Sequence, residues 1–438
     1  MEVRDPVHGS IKVLDSEIPI LESPFFQRLR SIKQLGFSEY VFPGATHTRY
    51  LHSIGVMDVS SKVFNQVFKD FKEGPDLSRL RETVRLACLL HDIGHAPLSH
   101  TTEFVMPKVS ELNLPEQFVD SPDRQATHED YTIKSIVDSS LTDSFKLVKE
   151  EFGVEINQIA ELVIGETQHP KYFTVEGINF FPMLHQLVSS EMDCDRMDYL
   201  LRDSYFCGVS YGKFDLDWII DNLHFVEEKG SAYLGISERA VATFDDFLLC
   251  RFHMFLMVYF HYKSVCLEKM LKRYFKFAPD EYSIPGDIEE YLKHDDHHLM
   301  KILRNSDNLW AKKIVRNTIP PKIFEAFGQD QTQTLMKLET FLKEENIDYI
   351  KCSSSGRLSK YYDQTNIQEN KYPLKVVRQV SGHVAQSPRS LFSRNINEAT
   401  DLFEKFSRAH TVDRIHCEFQ ELTKQTQSKI SDIIKAYE

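Results

Sequence analysis

The sequence predicts a mainly α protein, with a large helical core followed by a smaller C-terminal α+β lobe. Three observations point there. Glycine and proline number only 17 each among 438 residues, too few for a protein of many tight hairpins. Apolar residues recur at helical spacing through most of residues 1–325. Over residues 326–438 the texture shifts to short β-branched runs between polar turns, as in "NIDYIKCSSSGRLSKYYDQ" and "YPLKVVRQVSGH".

The elements follow in order. "ILESPFFQRLRSIKQLG" (20–36) reads as a helix with Ser23 as N-cap, Pro24 in the first turn and Gly36 as its stop. "HSIGVMDVSSKVFNQVFKDF" (52–71) is a second helix. "LSRLRETVRLACLLHDIGH" (77–95) is a third, and its last turn is expected to present His91, Asp92 and His95. "THEDYTIKSIVDSS" (127–140) carries an N-cap at Thr127 and acids in its first turn. Residues 182–206 read as one long helix or a kinked pair. Residues 243–275 read as one buried central helix whose aromatic and Met stripe is plain core. "TVDRIHCEF" (411–419) is a strand, the last nineteen residues are a helix, and the polar run Tyr361–Tyr372 is the least ordered part of the lobe.

Composition narrows the function. Hydrophobic residues make up 42% and aromatics 12%, enough for a sizeable core. No run of eighteen apolar residues occurs, and "MEVRDPVHGS" is charged from residue 2, so neither an anchor nor a signal peptide is expected and the location is read as cytoplasmic. The seven cysteines are scattered without a CxxC, which argues against a cysteine-based zinc site and for small buried hydrophobes in a reducing compartment. A net charge of −13 disfavours nucleic acid as a partner. A small anion would need a local cluster of Arg and Lys.

The chemistry-bearing residues cluster. His47 and His52 bracket Arg49 in "HTRYLHS"; His91, Asp92, His95 and His100 fall in "HDIGHAPLSH"; His128 follows in "THED"; Asp193, Asp195, Asp198 and Asp203 crowd "EMDCDRMDYLLRD". A borderline divalent cation suits imidazole and carboxylate together, with positions left open for water or phosphate. A single histidine is more often a satisfied core residue. An array of this size near apolar helices destabilises the fold unless it holds an ion. Asp198 and Arg202, one turn apart, read as a helix-surface ion pair, and His100 as a structural histidine.

These motifs resemble the HD-domain phosphohydrolases, named for the His-Asp doublet; here the HD motif region spans 48–205. With "DPVHGSI", "PFFQRLRSIKQLGFSEYVFPGATHTRYLHSIGV" and "VYFHYK", residues 5 to 263 resemble the deoxynucleoside triphosphate triphosphohydrolases of the SAM-and-HD-domain type, without the SAM module. The resemblance implies an HD-type helical core, a homo-oligomer (dimer or tetramer), and cleavage of a dNTP into deoxynucleoside and tripolyphosphate. It implies a divalent ion (Mn, Fe, Mg or Zn) on His52, His91, Asp92 and Asp195. His95 and His128 match catalytic histidines, with Glu103 where the family has an aspartate. Gln34, Leu35, Arg49, Tyr199, Asp203, Arg251, Tyr259 and Lys263 match substrate contacts. Glu22, Gln27 and Arg30 match part of a site for an activating GTP or dGTP. Two other readings share the metal site: a phosphodiesterase or nuclease for a cyclic nucleotide or single strand, and a nucleotide sensor without turnover.

Overall fold

The computed structural model describes residues 1–328, 332–356, 372–378, 392–400, 402 and 410–435. Helices dominate, as expected. The chain opens, however, with a strand pair that periodicity does not reveal. Glu2–Asp5 runs antiparallel to Gly9–Lys12, and the Asp5 carboxylate turns the hairpin by accepting from the Val7 and His8 N–H groups at 2.9 and 2.8 Å.

The expected helix over 20–36 is much shorter. Ser23 caps a turn as anticipated, accepting from the Phe26 N–H at 3.3 Å, but regular helix is confined to two short pieces, Ile18–Glu22 and Pro24–Arg28. After a single tight turn the chain becomes extended at Ile32. There the backbone pairs with residues 47–49 instead of with itself: Gln34 N–H donates to His47 O at 3.1 Å and Arg49 N–H to Ile32 O at 2.9 Å. That pairing, a tertiary interaction, brings Gln34 and Leu35 beside Arg49.

Four helices then frame the site: Arg49–Val67, Pro75–Leu90, His128–Val137 and Cys194–Cys207. The third expected helix ends at Leu90, so His91 caps it and Asp92 and His95 lie in the loop that follows. Gly94 in that loop is required by close approach. A Cβ there would lie 2.2 Å from Thr132 N and 2.3 Å from His128 O, so only glycine lets the loop lie on the helix that carries His128. Tyr291 and Arg28 clamp the same loop, donating to Gly94 O and His95 O, each at 2.8 Å. Residues 182–206 form a pair, Phe181–Val188 and Cys194–Cys207. Asp193 caps the second by accepting from Arg196 N–H at 2.8 Å.

Residues 243–275 are not one continuous helix. Val241–Met254 widens into a π turn at Phe255–Tyr259, where Phe260 N–H reaches back to Phe255 O at 2.9 Å. A fresh helix, Tyr262–Phe277, starts at His261. No proline or glycine marks the break; the bulge swings Tyr259 toward the Cys194–Cys207 helix.

Two larger sheets complete the fold. Leu223–Glu228 and Ser231–Ser237 form a hairpin that carries Lys375–Arg378 as a parallel neighbour, with Phe392–Asn395 outermost. A second sheet orders Lys322–Phe327, His410–His416 and Ile350–Gly356, all antiparallel. Helices Thr332–Glu344 and Lys424–Lys435 accompany it, and Phe324, Leu338, Leu342, Ile415 and Ile430 form a small core distinct from the main one. The strand expected over 411–419 is His410–His416. The polar run expected to be least ordered lies outside the described residues except for Tyr372. All seven cysteines are free, and among the described residues no helix is long and apolar enough to cross a membrane.

Candidate metal and catalytic site

His52 enters from the first core helix with no exposed surface, and its two nitrogens face different carboxylates. Nδ1 lies 2.7 Å from Asp198 Oδ2. Nε2 lies 2.9 Å from Asp195 Oδ1 and 3.6 Å from Asp92 Oδ2. His91 is oriented through Nδ1, 2.7 Å from Cys88 O, so its Nε2 points inward, 3.4 Å from Asp92 Oδ1 and 3.6 Å from Asp195 Oδ1. His52, His91 and Asp195 each offer an atom within 4.8 Å of the others, and Asp92 borders both histidines.

This donor set fits a divalent ion. Neighbouring ligands around an ion with bonds of about 2.1 Å stand about 3 Å apart, near the spacing seen. Both inward-facing Nε2 atoms are buried and lack a well-aligned hydrogen bond, although carboxylate oxygens stand close by, an arrangement that an ion between them would satisfy. Electrostatics agree. Burial alone would lower both histidines, but carboxylates outweigh it: Asp195 and Asp198 raise His52 to about 9, and Asp92 with Asp195 raises His91 to about 10. Burial opposes ionisation of Asp92, but Arg49 and the histidines hold it well below the ordinary range. A cluster that binds protons so avidly is one that a cation would occupy in their place.

Asp198 is not on a surface, and that expectation is corrected. Asp198 and Arg202 have no exposed area. Arg202 grips both Asp198 oxygens at 2.8 Å and reaches Asp5 at 2.7 Å. His8 Nε2 lies 2.6 Å from Asp198 Oδ1. The N-terminal hairpin thus braces the carboxylate that orients His52, and a Cβ on Gly55 would collide with this pair at 2.0 and 2.3 Å. The signal was in the sequence: "DPVHGSI" carries both Asp5 and His8.

Beside these candidate ligands stand His95, His128 and Glu103. His95 Nε2 lies 3.1 Å from Asp92 Oδ1. His128, the first residue of its helix, packs against His95, and its Nδ1 lies 2.5 Å from Glu103 Oε1. The same Glu103 oxygen meets His100 Nδ1 at 2.9 Å, and the His100 side chain is 66% exposed. Burial opposes ionisation of Glu103, but hydrogen bonds from His100 and His128 bring it down to about 2. Leu98 and Ser99 adopt left-handed backbone, φ 56° and 58°, a conformation costly for residues with a side chain; Ser99 Oγ meets Arg49 Nε at 3.0 Å.

A cavity of about 650 Å³ spans these groups; Gln34, Leu35, Arg49, Tyr199, Asp203 and Tyr259 also line it. Asp203 accepts from Tyr259 Oη at 2.7 Å and pairs with His47 Nε2 at 2.7 Å. Arg251 is a neighbour outside the lining, buried and bonded to Glu191 at 2.7 Å. Lys263 lies in a separate cleft with Tyr262 and residues 317–322. Arg196, Glu268 and Lys272 line the cavity and were not singled out from sequence, since ordinary helical charges carry no motif. Burial raises Glu268 to about 7. Glu22 and Arg30 are exposed; Arg30 stacks over Tyr50 at 3.5 Å and bonds to Gln27 at 2.8 Å, apart from this cavity.

An HD domain matches residues 49–200 and an HD-associated region residues 214–321. The chain is 30% identical over 414 residues to the uncharacterized protein YwfO of Bacillus subtilis, spanning 88% of this chain and 86% of that one. The human deoxynucleoside triphosphate triphosphohydrolase SAMHD1 is 26% identical over 363 residues, 77% of this chain but 56% of that protein. A hypothetical protein of Aquifex aeolicus shares the fold with a TM-score of 0.72 at 24% identity, over 98% of this chain and 99% of that one.

Proposed function

Because the chain belongs to the HD-domain family, we propose that it is a metal-dependent phosphohydrolase that splits a deoxynucleoside triphosphate into deoxynucleoside and tripolyphosphate. The observation that carries this reading is the convergence of His52, His91, Asp92 and Asp195 beside the His95–His128 pair in one cavity. Kinship with SAMHD1, whose name states that activity, supports the substrate class.

In this reading His52, His91, Asp92 and Asp195 hold the divalent ion. When bound, it polarises the α-phosphate and provides a nucleophile at neutral pH. Arg49, in contact with Asp92, faces the phosphate oxygens with a fixed positive charge. His128, whose Nδ1 proton is held by Glu103, offers its other ring nitrogen to the leaving 5′ oxygen. His95 accepts or returns a proton beside it. Asp203 accepts from the 3′ hydroxyl, while Tyr199, Tyr259 and Leu35 pack against the sugar and leave no room for a 2′ hydroxyl. The chain functions as a homo-oligomer, and a guanine nucleotide at Glu22, Gln27 and Arg30 activates it.

The test is incubation of purified protein with each dNTP and NTP plus Mn or Mg, followed by product analysis. Nucleoside plus tripolyphosphate is expected. Monophosphate plus pyrophosphate, or turnover of single-stranded DNA in preference to dNTPs, overturns the reading.

A further inference from the structure

Away from the cavity, where the core meets the C-terminal sheet, a second group of metal-binding donors converges. Cys266 comes from helix Tyr262–Phe277, Cys352 from strand Ile350–Gly356 and His416 from the end of strand His410–His416. Cys352 lies opposite Arg414 in the antiparallel register, so His416, two residues on, shares its face of the sheet. All three side chains have 0% exposure, and a sulfur from each cysteine and a ring nitrogen of His416 lie within 4.8 Å of one another. The two cysteines are free thiols. His416 Nδ1 is 3.0 Å from Pro320 O, which fixes the proton on that nitrogen and leaves the Nε2 lone pair free. That Nε2 is fully buried and has no hydrogen-bond partner.

An apolar core residue needs none of this. A buried imidazole lone pair without a donor is destabilising, and neither nearby thiol serves that nitrogen. We propose that Cys266, Cys352 and His416 form a zinc site that fastens the C-terminal sheet to the helix behind the cavity. Binding would release one proton from each thiol. Two thiolates then cancel the charge of the dication, so no net charge is buried, and the neutral imidazole takes the third position. The donor types separate this site from the cavity's. Thiolates favour zinc over magnesium or manganese, whereas the cavity offers only imidazole and carboxylate. Helix Tyr262–Phe277 also carries Glu268 and Lys272 on the cavity wall, so the same ion would steady that wall.

The experiment uses the full chain, stripped of metal by chelation and titrated with cobalt(II) alone. Thiolate-to-cobalt charge-transfer absorption, saturating at one equivalent per chain and bleached by one equivalent of zinc, is the expected result; imidazole and carboxylate ligands in the cavity give no such band. Cys352→Ser should abolish the band and His416→Gln should weaken it. Chelation should lower the melting temperature of a His91→Ala protein, whose cavity site is disabled, by several degrees. The inference is overturned if folded, unmodified protein shows no charge-transfer band, or if Cys266 and Cys352 are recovered as a disulfide from protein purified without oxidant. The unmodified protein decides the matter even if the cysteine variant does not fold.

Discussion

The imidazole rings of His95 and His128 lie face to face, centroids 3.9 Å apart and planes 10° from parallel. Two imidazolium ions at that separation repel strongly, so the pair favours one positive charge at a time. Burial, then Arg49, then the charge of His128 hold His95 well below its ordinary value. Glu103 Oε1 lies 2.5 Å from His128 Nδ1 and so fixes the orientation of that ring.

Replacing either histidine with Ala is therefore expected to lower kcat by about 10²–10⁴ while bound metal is retained. The double replacement should cost far less than the product of the two. Single-turnover hydrolysis with elemental analysis of the same samples checks this; loss of metal in His128→Ala would assign that residue to the wrong role.

Asp198 makes a metal-affinity prediction. It is not among the residues lining the site cavity, yet it fixes His52 through Nδ1 and is itself fixed by Arg202 and His8. Asp198→Asn is expected to weaken manganese binding by about 10–100-fold. Calorimetric titration reads the constant directly, and an unchanged constant removes Asp198 from the metal's support.

Gly94→Ala should lower stability by about 1–3 kcal/mol, because its Cβ would meet backbone atoms at 2.2 and 2.3 Å that have nowhere to go. Moving this loop off the Thr132 segment also separates His95 from His128. The expected outcome is a lower melting temperature together with a loss of kcat in the fraction still folded.

Tyr259→Ala should relax sugar discrimination. The ring lines the cavity and donates to Asp203 at 2.7 Å, so its removal both opens space and frees an acceptor. The ratio of kcat/KM for a dNTP over the matching NTP should fall about tenfold or more, roughly 1.4 kcal/mol. An unchanged ratio places the 2′ position elsewhere.

Stability should fall as pH rises from about 4.5 to about 8. Glu82 is buried beside Glu17, and burial followed by the Glu17 charge raises its carboxyl from 4.5 to about 8. The folded state then binds a proton that the unfolded state has released, so this contribution is complete below pH 4.5 and lost as pH passes through 8. Glu82→Gln, which needs no proton, should flatten the slope and stabilise the protein above pH 8 by a few kcal/mol. Melting temperatures across that range show whether it does.

The helical core and the candidate His-Asp cluster were legible because their signals are local. A His-Asp doublet, a helix-capping Ser23 and a 3.6-residue apolar period all survive in a string of letters. What was missed is tertiary. Ile32–Gln34 leave helix because residues 47–49 offer a better backbone partner, and nothing in "SIKQLG" announces that. The π turn at Phe255–Tyr259 contains no breaker residue. Asp198 and Arg202 have the spacing of a solvent-facing pair, and only the packing of Gly55 and the N-terminal hairpin against them shows that they are buried.

The parallel seating of Lys375–Arg378 on Ser231–Ser237 bears on biosynthesis. The earlier strand leaves the ribosome well over a hundred residues before its neighbour exists. Until then it presents an open, hydrogen-bond-hungry border, and the nascent polypeptide is exposed to intermolecular pairing for that whole interval. Translation speed between these segments, and any chaperone that shields the border, would set how much of the product reaches its native form.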